Sequence, residues 1–127
     1  MQGVPNKKIL LVDDEEETLA HLRNILKRAD YDVVSTTKGK EAVELAVQQL
    51  PDLIILDIVL PDMGGSEVAT AVLGNPATAS IPIIFLTGIL TKQEEESVEG
   101  KSGKRYVIAK PTTREELLGM VAKVLTG

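Results

Sequence analysis

Short apolar segments alternate along this chain with longer segments in which apolar residues recur at the spacing of a helix. Five of the shorter segments are predicted to be strands, at residues 9–12, 31–36, 53–57, 83–87 and 106–109. Four of them are apolar apart from a final Asp57 or Thr87, which is typical of strands covered on both faces, and strands that alternate with helices indicate βαβ units. Because crossovers between parallel strands are right-handed, the helices would lie on both faces of the sheet. The alternation therefore predicts an α/β domain with a doubly wound, five-stranded parallel sheet.

The longer segments predict five helices, one after each strand. The last of them begins with a capping pattern formed by Thr113 and Glu116. The fourth, at residues 91–99, has little apolar stripe, so we expect it to be short, mobile or dependent on a partner. The stripes of the other four are predicted to contain Leu19, Leu22, Leu26 and Ala29; Ala42, Val43, Ala46, Val47 and Leu50; Val68, Ala69, Val72 and Leu73; and Leu117, Leu118, Val121 and Leu125.

Length and composition exclude several classes of protein. A chain of 127 residues suits one domain, and its net charge of −5 argues against nonspecific binding of nucleic acid. The absence of cysteine excludes disulfides and thiolate chemistry, and residues 1–8 are too polar for a secretory signal. No apolar segment approaches the roughly 20 residues of a membrane span. We therefore expect a soluble cytoplasmic protein.

Acidic residues come directly after or at the end of two predicted strands. Asp13 and Asp14 follow the first strand, and Asp57 ends the third. Because the carboxyl ends of parallel strands lie at one edge of a sheet, these side chains would meet there, together with Thr87 and Lys110. Two carboxylates about 4 Å apart repel by on the order of 4 kcal/mol at an effective dielectric near 20. A cation with oxygen ligands would relieve this repulsion, so the acids predict a metal site.

Each of these residues also has a simpler structural interpretation. Asp14, with Glu17 three residues later, could cap the first helix, and Asp57 could be a turn residue. Thr87 and Lys110, each taken alone, fit an ordinary strand threonine and a solvated lysine better than site residues. Capping needs only one acid, however, and it explains neither the second acid of the pair nor Asp57. The whole pattern therefore favours the metal site.

The chain resembles the receiver domain of two-component response regulators over nearly its whole length. The matching residues are the Asp13-Asp14 pair, Asp57 followed by the turn at residues 60–65, Thr87-Gly88, and Lys110-Pro111. The resemblance implies a flavodoxin-like sheet with the strand order 2-1-3-4-5. It also implies that residues 1–127 form a single receiver domain with a core at about residues 7–125.

The resemblance assigns each matching residue a role in phosphoryl transfer. Asp57 would be the phosphoacceptor, and Asp13, Asp14, Asp57 and the Val59 backbone carbonyl would bind Mg²⁺, with Mn²⁺ as the alternative. Lys110, the Thr87 hydroxyl and the Gly88 amide would bind the oxygens of the phosphoryl group. The donor would be a sensor histidine kinase or a histidine phosphotransfer protein, and the output a downstream effector protein or a fused output domain. Such a domain is no conventional enzyme, but it catalyses its own phosphorylation and slow dephosphorylation.

Two departures from the common receiver pattern affect switching and hydrolysis. Many receivers have an aromatic switch residue three positions before the lysine, where this chain has Val107, and Tyr106 lies one position earlier. A shift of one residue turns the side chain to the other face of the strand unless a bulge restores it. Thr87, Tyr106 and Val107 are therefore the switch candidates. In addition, Val59 and Ile89 cannot orient a water by hydrogen bonding, which predicts a long-lived phosphorylated form.

Two other function classes are compatible with parts of this pattern. A phosphate-independent interaction module could keep the fold, although the intact acids, threonine and lysine count against it. A phosphatase of the haloacid dehalogenase type would use Asp57 as a nucleophile, but it needs a second acid at the position of Val59. A P-loop kinase fits the sequence less well than either of these, because the sequence has no Gly-x-x-x-x-Gly-Lys-Ser/Thr motif.

Overall fold

The computed structural model describes residues 6–88, 105–110 and 112–126. The predicted helix at residues 91–99, Ile89 and Pro111 lie outside this part of the chain. The strands are β1 (Lys8–Val12), β2 (Asp32–Thr36), β3 (Leu53–Asp57), β4 (Ile83–Thr87) and β5 (Arg105–Ala109). All neighbouring strands pair in parallel, and their order is β2-β1-β3-β4-β5. The predicted strand order is confirmed, and the more polar β2 lies at an edge.

Four helices lie within the described ranges: α1 (Glu16–Arg28), α2 (Gly39–Gln49), α3 (Gly65–Leu73) and α4 (Arg114–Thr126). None of them is long and apolar enough to cross a membrane. The capping pattern predicted before α4 is present, because the Thr113 hydroxyl accepts the Glu116 backbone N–H and the Glu116 carboxylate accepts the Thr113 backbone N–H, both at 3.1 Å. This reciprocal cap makes α4 begin shortly after Lys110.

The sheet separates two aliphatic cores, as a doubly wound fold requires. Successive strand residues face opposite sides, so that Ile55 packs with α1 and α4 while Ile54 and Leu56 pack with α2 and α3. The first core contains Leu22 and Leu26 of α1. β1 and β3 are fully covered on both faces after the first residue of β1. The buried centre of the sheet thus fixes where the ends of β1 and β3 lie.

Three residues that were predicted to lie in apolar stripes are in fact exposed. Val47 and Leu50, in and just after the last turn of α2, are 41% and 55% exposed, and Leu73 at the end of α3 is 39% exposed. Helical periodicity identifies the side of a helix on which a residue lies, but not how far the neighbouring surface extends to cover it. The stripes of α2 and α3 are therefore shorter than predicted.

Candidate functional site

The acids that the sequence predicts at the carboxyl edge of the sheet lie at that edge in the structure. Asp13 directly follows β1, and Asp57 is the last residue of β3. Oxygen atoms of Asp13, Asp14 and Asp57 all lie within 4.8 Å of one another. Asp13 and Asp57 are buried, with 1% and 5% exposure, whereas Asp14 is exposed. The predicted acid triad is therefore present, with two members inside the protein and one at its surface.

Lys110, which follows β5, places its ammonium among these acids. Its Nζ lies 2.7 Å from Asp13 Oδ2, 3.0 Å from Asp57 Oδ2 and 3.4 Å from Glu15 Oε1. Burial lowers the pKa of Lys110, but the hydrogen bonds that the ammonium donates to Asp13 and Asp57 and the attraction of their charges outweigh burial and raise the pKa overall. The lysine therefore stays protonated at neutral pH and partly neutralises the buried acids.

The pKa of Asp13 is raised by burial and by its position in this charge cluster. Burial raises the pKa of Asp13, and repulsion from Asp57 adds to the rise, although Lys110 and the Glu15 backbone N–H oppose it. That N–H donates to Asp13 Oδ1 at 2.9 Å. The capping interpretation of Asp14 is wrong, because Glu15 holds the N-cap position of α1 and no side chain there makes a capping hydrogen bond. The environment of Asp13 thus disfavours its charged form even with the lysine beside it.

The donor set fits a small divalent cation. Asp13 Oδ2 is buried and, within the part of the chain that the structure describes, has no polar partner besides the Lys110 ammonium at 2.7 Å. A buried carboxylate oxygen of this kind has an unused lone pair for a metal. Mg²⁺ binds through a few carboxylates and keeps several waters, so one exposed and two buried aspartates suit it. The acids of this edge are therefore able to hold the ion that the sequence predicted.

The loop between β3 and α3, residues 58–64 (the Asp57 loop), is folded tightly against Asp57. The Val59 backbone N–H donates to Asp57 Oδ1 at 3.1 Å, and the Gly65 N–H donates to the Ile58 carbonyl at 2.7 Å. A Cβ atom at Gly65 would overlap the Asp57 carbonyl oxygen and the Ile58 backbone. Only glycine therefore allows α3 to begin this close to the buried aspartate.

Asp62, in the same loop, caps α2 from a distance of more than twenty residues along the chain, and the sequence analysis missed it. Its carboxylate accepts the backbone N–H groups of Gly39 at 2.8 Å and Lys40 at 3.0 Å. Hydrogen bonds from Lys40 and then Gly39 lower the pKa of Asp62. The one sequence signal was a negative one, since Lys38 at the N-cap position of α2 is a poor capping residue. Asp62 thus ties the Asp57 loop to a helix on the sheet.

Thr87 and Gly88 lie at the same edge of the sheet as the acids, whereas Tyr106 does not. Thr87 ends β4 and pairs with Ala109, and a Cβ atom at Gly88 would lie 3.9 Å from Lys110 Cβ, so both residues neighbour the lysine. The pairing of β4 with β5 is continuous and contains no bulge. Tyr106 consequently packs against the core on the α1 and α4 face, whereas Val107 packs against the opposite core.

Tyr106 also lies far along the strand from the acids. It lines a cavity of about 380 Å³ together with Lys7 and Asp52, which precede β1 and β3 at the amino edge of the sheet. Because β5 pairs with β4 without a bulge, the Tyr106 side chain is not turned to the direction usual for the aromatic switch residue. The placement of Tyr106 therefore favours a packing role over switching.

Comparison with known proteins agrees with the fold and with the resemblance seen in the sequence. The profile of the response regulator receiver domain matches residues 9–122. Protein PilH of Pseudomonas aeruginosa is 34% identical over 122 residues, which are 94% of this chain and 98% of PilH. The crystal structure of a putative response regulator from Chloroflexus aurantiacus has a TM-score of 0.87 and 28% identity, over 96% of this chain and 99% of that one.

A third similar protein bears on the metal. The receiver domain of the sensor histidine kinase PA1611 from Pseudomonas aeruginosa has a TM-score of 0.86 and 25% identity, over 96% of this chain and 99% of that chain. Its crystal structure has a magnesium ion coordinated in the active site cleft.

Proposed function

The chain belongs to the response regulator receiver domain family of two-component signalling, and from this premise we propose that Asp57 accepts a phosphoryl group from a phosphohistidine. The donor is a sensor histidine kinase or a histidine phosphotransfer protein. The whole of residues 1–127 serves as one receiver domain, with its core at about residues 7–125. The observation that carries the proposal is the position of the Lys110 ammonium, 3.0 Å from Asp57 Oδ2 and beside the buried Asp13.

The transfer follows from the chemistry of these side chains. A carboxylate oxygen of Asp57 forms a bond with phosphorus while the bond between phosphorus and the imidazole nitrogen of the donor breaks, which leaves an aspartyl phosphate and a free histidine. The Lys110 ammonium balances the charge on the phosphoryl oxygens. After the transfer, those oxygens are bound by the Thr87 hydroxyl and the Gly88 amide, which belong to the carboxyl end of the neighbouring strand β4. Lys110 is protonated for this purpose at any pH near neutrality.

Mg²⁺, or Mn²⁺ in its place, would be held by Asp13, Asp14, Asp57 and the Val59 backbone carbonyl. When bound, the ion supplies positive charge beside the transferring phosphoryl group. The unused lone pair of Asp13 Oδ2 supports this assignment, as does the ion coordinated in the PA1611 receiver domain. Burial, with a smaller contribution from the Asp57 charge, raises the pKa of Asp13, and a bound cation would favour the charged form that these effects disfavour.

Phosphorylation would alter the surface that the domain presents to its output. The phosphate adds a charge of about −1.5 to −2, which favours one of two conformations already accessible to the domain. The output partner is a downstream effector protein or a fused output domain, and the domain acts in the cytoplasm. Thr87 and Val107 are the switch candidates whose positions are compatible with this role, because Tyr106 faces the core under α1 and α4.

Incubation with acetyl phosphate and Mg²⁺, followed by intact mass measurement, tests the proposal. We expect a gain of one phosphoryl group by the unmodified chain and by the control Asp30→Asn, an exposed aspartate outside the site, and no gain by Asp57→Asn. A chain that gains no phosphate would be the phosphate-independent interaction module instead. Release of inorganic phosphate from acetyl phosphate without accumulation of the phosphorylated chain would indicate a phosphatase.

A further inference from the structure

Glu15 holds the N-cap position of α1, but its side chain does not cap the helix. Its backbone is extended, with φ −100° and ψ 115°, and its carboxylate makes no capping hydrogen bond. Glu15 Oε1 instead lies 3.4 Å from Lys110 Nζ and accepts the Thr18 hydroxyl at 3.5 Å. The residues favoured at this position are Ser, Thr, Asp and Asn, so α1 gains little from a glutamate there. The side chain therefore contacts the site lysine and the Thr18 hydroxyl, and it makes no capping hydrogen bond with the backbone at the start of α1.

Lys110 has three N–H donors, and three carboxylates surround them. Asp13 and Asp57 belong to the triad that can share a cation, and Glu15 does not. Once a cation engages the triad, Asp13 and Asp57 attract the ammonium less strongly, because their charge is shared with the ion. Glu15 then remains as the undiminished partner of Lys110.

Glu15 also lines an open cavity next to Lys110. Together with Lys110, His21, Leu22 and Thr112 it lines a cavity of about 330 Å³ beside the acids. Its side chain is 64% exposed, so its carboxylate is at the rim and not inside the site. An anionic donor that enters from this side meets the Glu15 charge before it reaches the lysine.

We propose that Glu15 is a positioning residue that draws the Lys110 ammonium toward the rim of the site. In this position the ammonium leaves room for the cation between Asp13 and Asp57, but the lysine side chain moves more slowly to contact the phosphoryl oxygens. This inference rests on the proposed function. It makes two predictions of opposite sign for removal of the Glu15 charge. Cation binding should weaken, because Lys110 then stays between Asp13 and Asp57, and phosphorylation at saturating cation should accelerate, because the ammonium is free to meet the phosphoryl group.

The test compares Glu15→Gln with Glu16→Gln, which removes the same charge from the next residue, also exposed and in the first turn of α1. The Kd for Mg²⁺ is measured by calorimetry without any phosphoryl donor. The rate of phosphoryl gain from acetyl phosphate is measured by mass at saturating Mg²⁺. We expect Glu15→Gln to raise the Kd and the rate by about two- to fivefold each, the range of an exposed ion pair, and Glu16→Gln to change neither.

Glu15→Gln values that match those of Glu16→Gln in either measurement would overturn the inference, since the effect would then be one of net charge alone. The two proposals fail separately. If the unmodified chain gains no phosphate on Asp57, the proposed function is wrong, and the Kd comparison still tests the contact between Glu15 and Lys110. If the chain is phosphorylated but the two variants behave alike, only the role of Glu15 is wrong.

Discussion

Val59 lies two residues after Asp57, is 65% exposed and has a side chain made only of hydrocarbon. A polar side chain at this position could hold a water in line with the aspartyl phosphate, and valine cannot. We expect Val59→Asn to shorten the life of the phosphorylated form about threefold to tenfold, which is below the full contribution of a general base. Ile89→Glu, two residues after Thr87 in the sequence, should act in the same direction. Loss of phosphate is followed by intact mass after removal of the donor.

The matched control for Val59→Asn is Val47→Asn, which makes the same chemical change at an exposed valine on α2. Val47→Asn should leave the lifetime unchanged. Unaltered lifetimes for both Val59→Asn and Ile89→Glu would show that hydrolysis is not limited by water orientation at these positions.

Asp13 is a residue at which function opposes stability. Its pKa is raised above the unfolded value, so the folded state binds the proton more tightly, and the ionised form reduces the free energy of unfolding at neutral pH. We expect Asp13→Asn to raise the free energy of unfolding by about 0.5 to 2 kcal/mol at pH 7 without divalent cation. The gain should shrink as the pH falls through the raised pKa, because Asp13 is then protonated in the unmodified chain. Urea unfolding in EDTA at several pH values measures it, and lower stability of the variant at pH 7 would contradict the prediction.

At the scale of elements, the start of α2 depends on the Asp62 carboxylate of another loop. Its pKa is lowered in the folded state, so its contribution to stability is present above the unfolded pKa and is lost as the pH falls through the folded one. We expect Asp62→Ala to lower the Tm at pH 7, and the difference from the unmodified chain to disappear in acid. Asp30→Asn, which alters an exposed aspartate shortly after α1, is the control. A Tm difference that persists unchanged in acid would show that the charge of Asp62 is not what caps the helix.

The start of α3 depends in a different way on Gly65, where the backbone of the Asp57 loop leaves no room for a side chain. Gly65→Ala should cost about 1 to 3 kcal/mol of stability and displace Asp57, because the overlapping atoms belong to the backbone and cannot rotate away. Gly119→Ala, inside α4 with no atom within 4 Å of the added Cβ, should instead stabilise by about 0.5 to 1 kcal/mol. Chemical denaturation of the two variants gives the comparison. Equal effects would mean that the Asp57 loop can move to accept the methyl group.

At the scale of the whole molecule, the fold and the acid triad could be predicted because both follow from repeated local patterns. Alternating strands and helices place Asp13, Asp57 and Lys110 at one edge whatever their side chains do in detail. Contacts made by loops that fold back could not be predicted, since nothing local to Asp62 indicates that it reaches Gly39. The exposure of Val47, Leu50 and Leu73 was missed for a related reason, because it depends on how far neighbouring elements extend.

The whole fold should respond to Mg²⁺, because the ion would bind acids that only folding brings together. The triad comes from the ends of two strands that are more than forty residues apart in sequence, so the unfolded chain offers no comparable site. A ligand bound only by the folded state stabilises it, by about 2.7 kcal/mol at a concentration one hundred times its Kd. We expect millimolar Mg²⁺ to raise the Tm of the unmodified chain and of Asp30→Asn, and not that of Asp13→Asn, at an ionic strength kept constant with NaCl. Because the net charge is −5, any cation screens some repulsion, and the salt control removes that contribution. An equal rise for Asp13→Asn would mean that Mg²⁺ acts on the general charge of the protein and is not held by the triad.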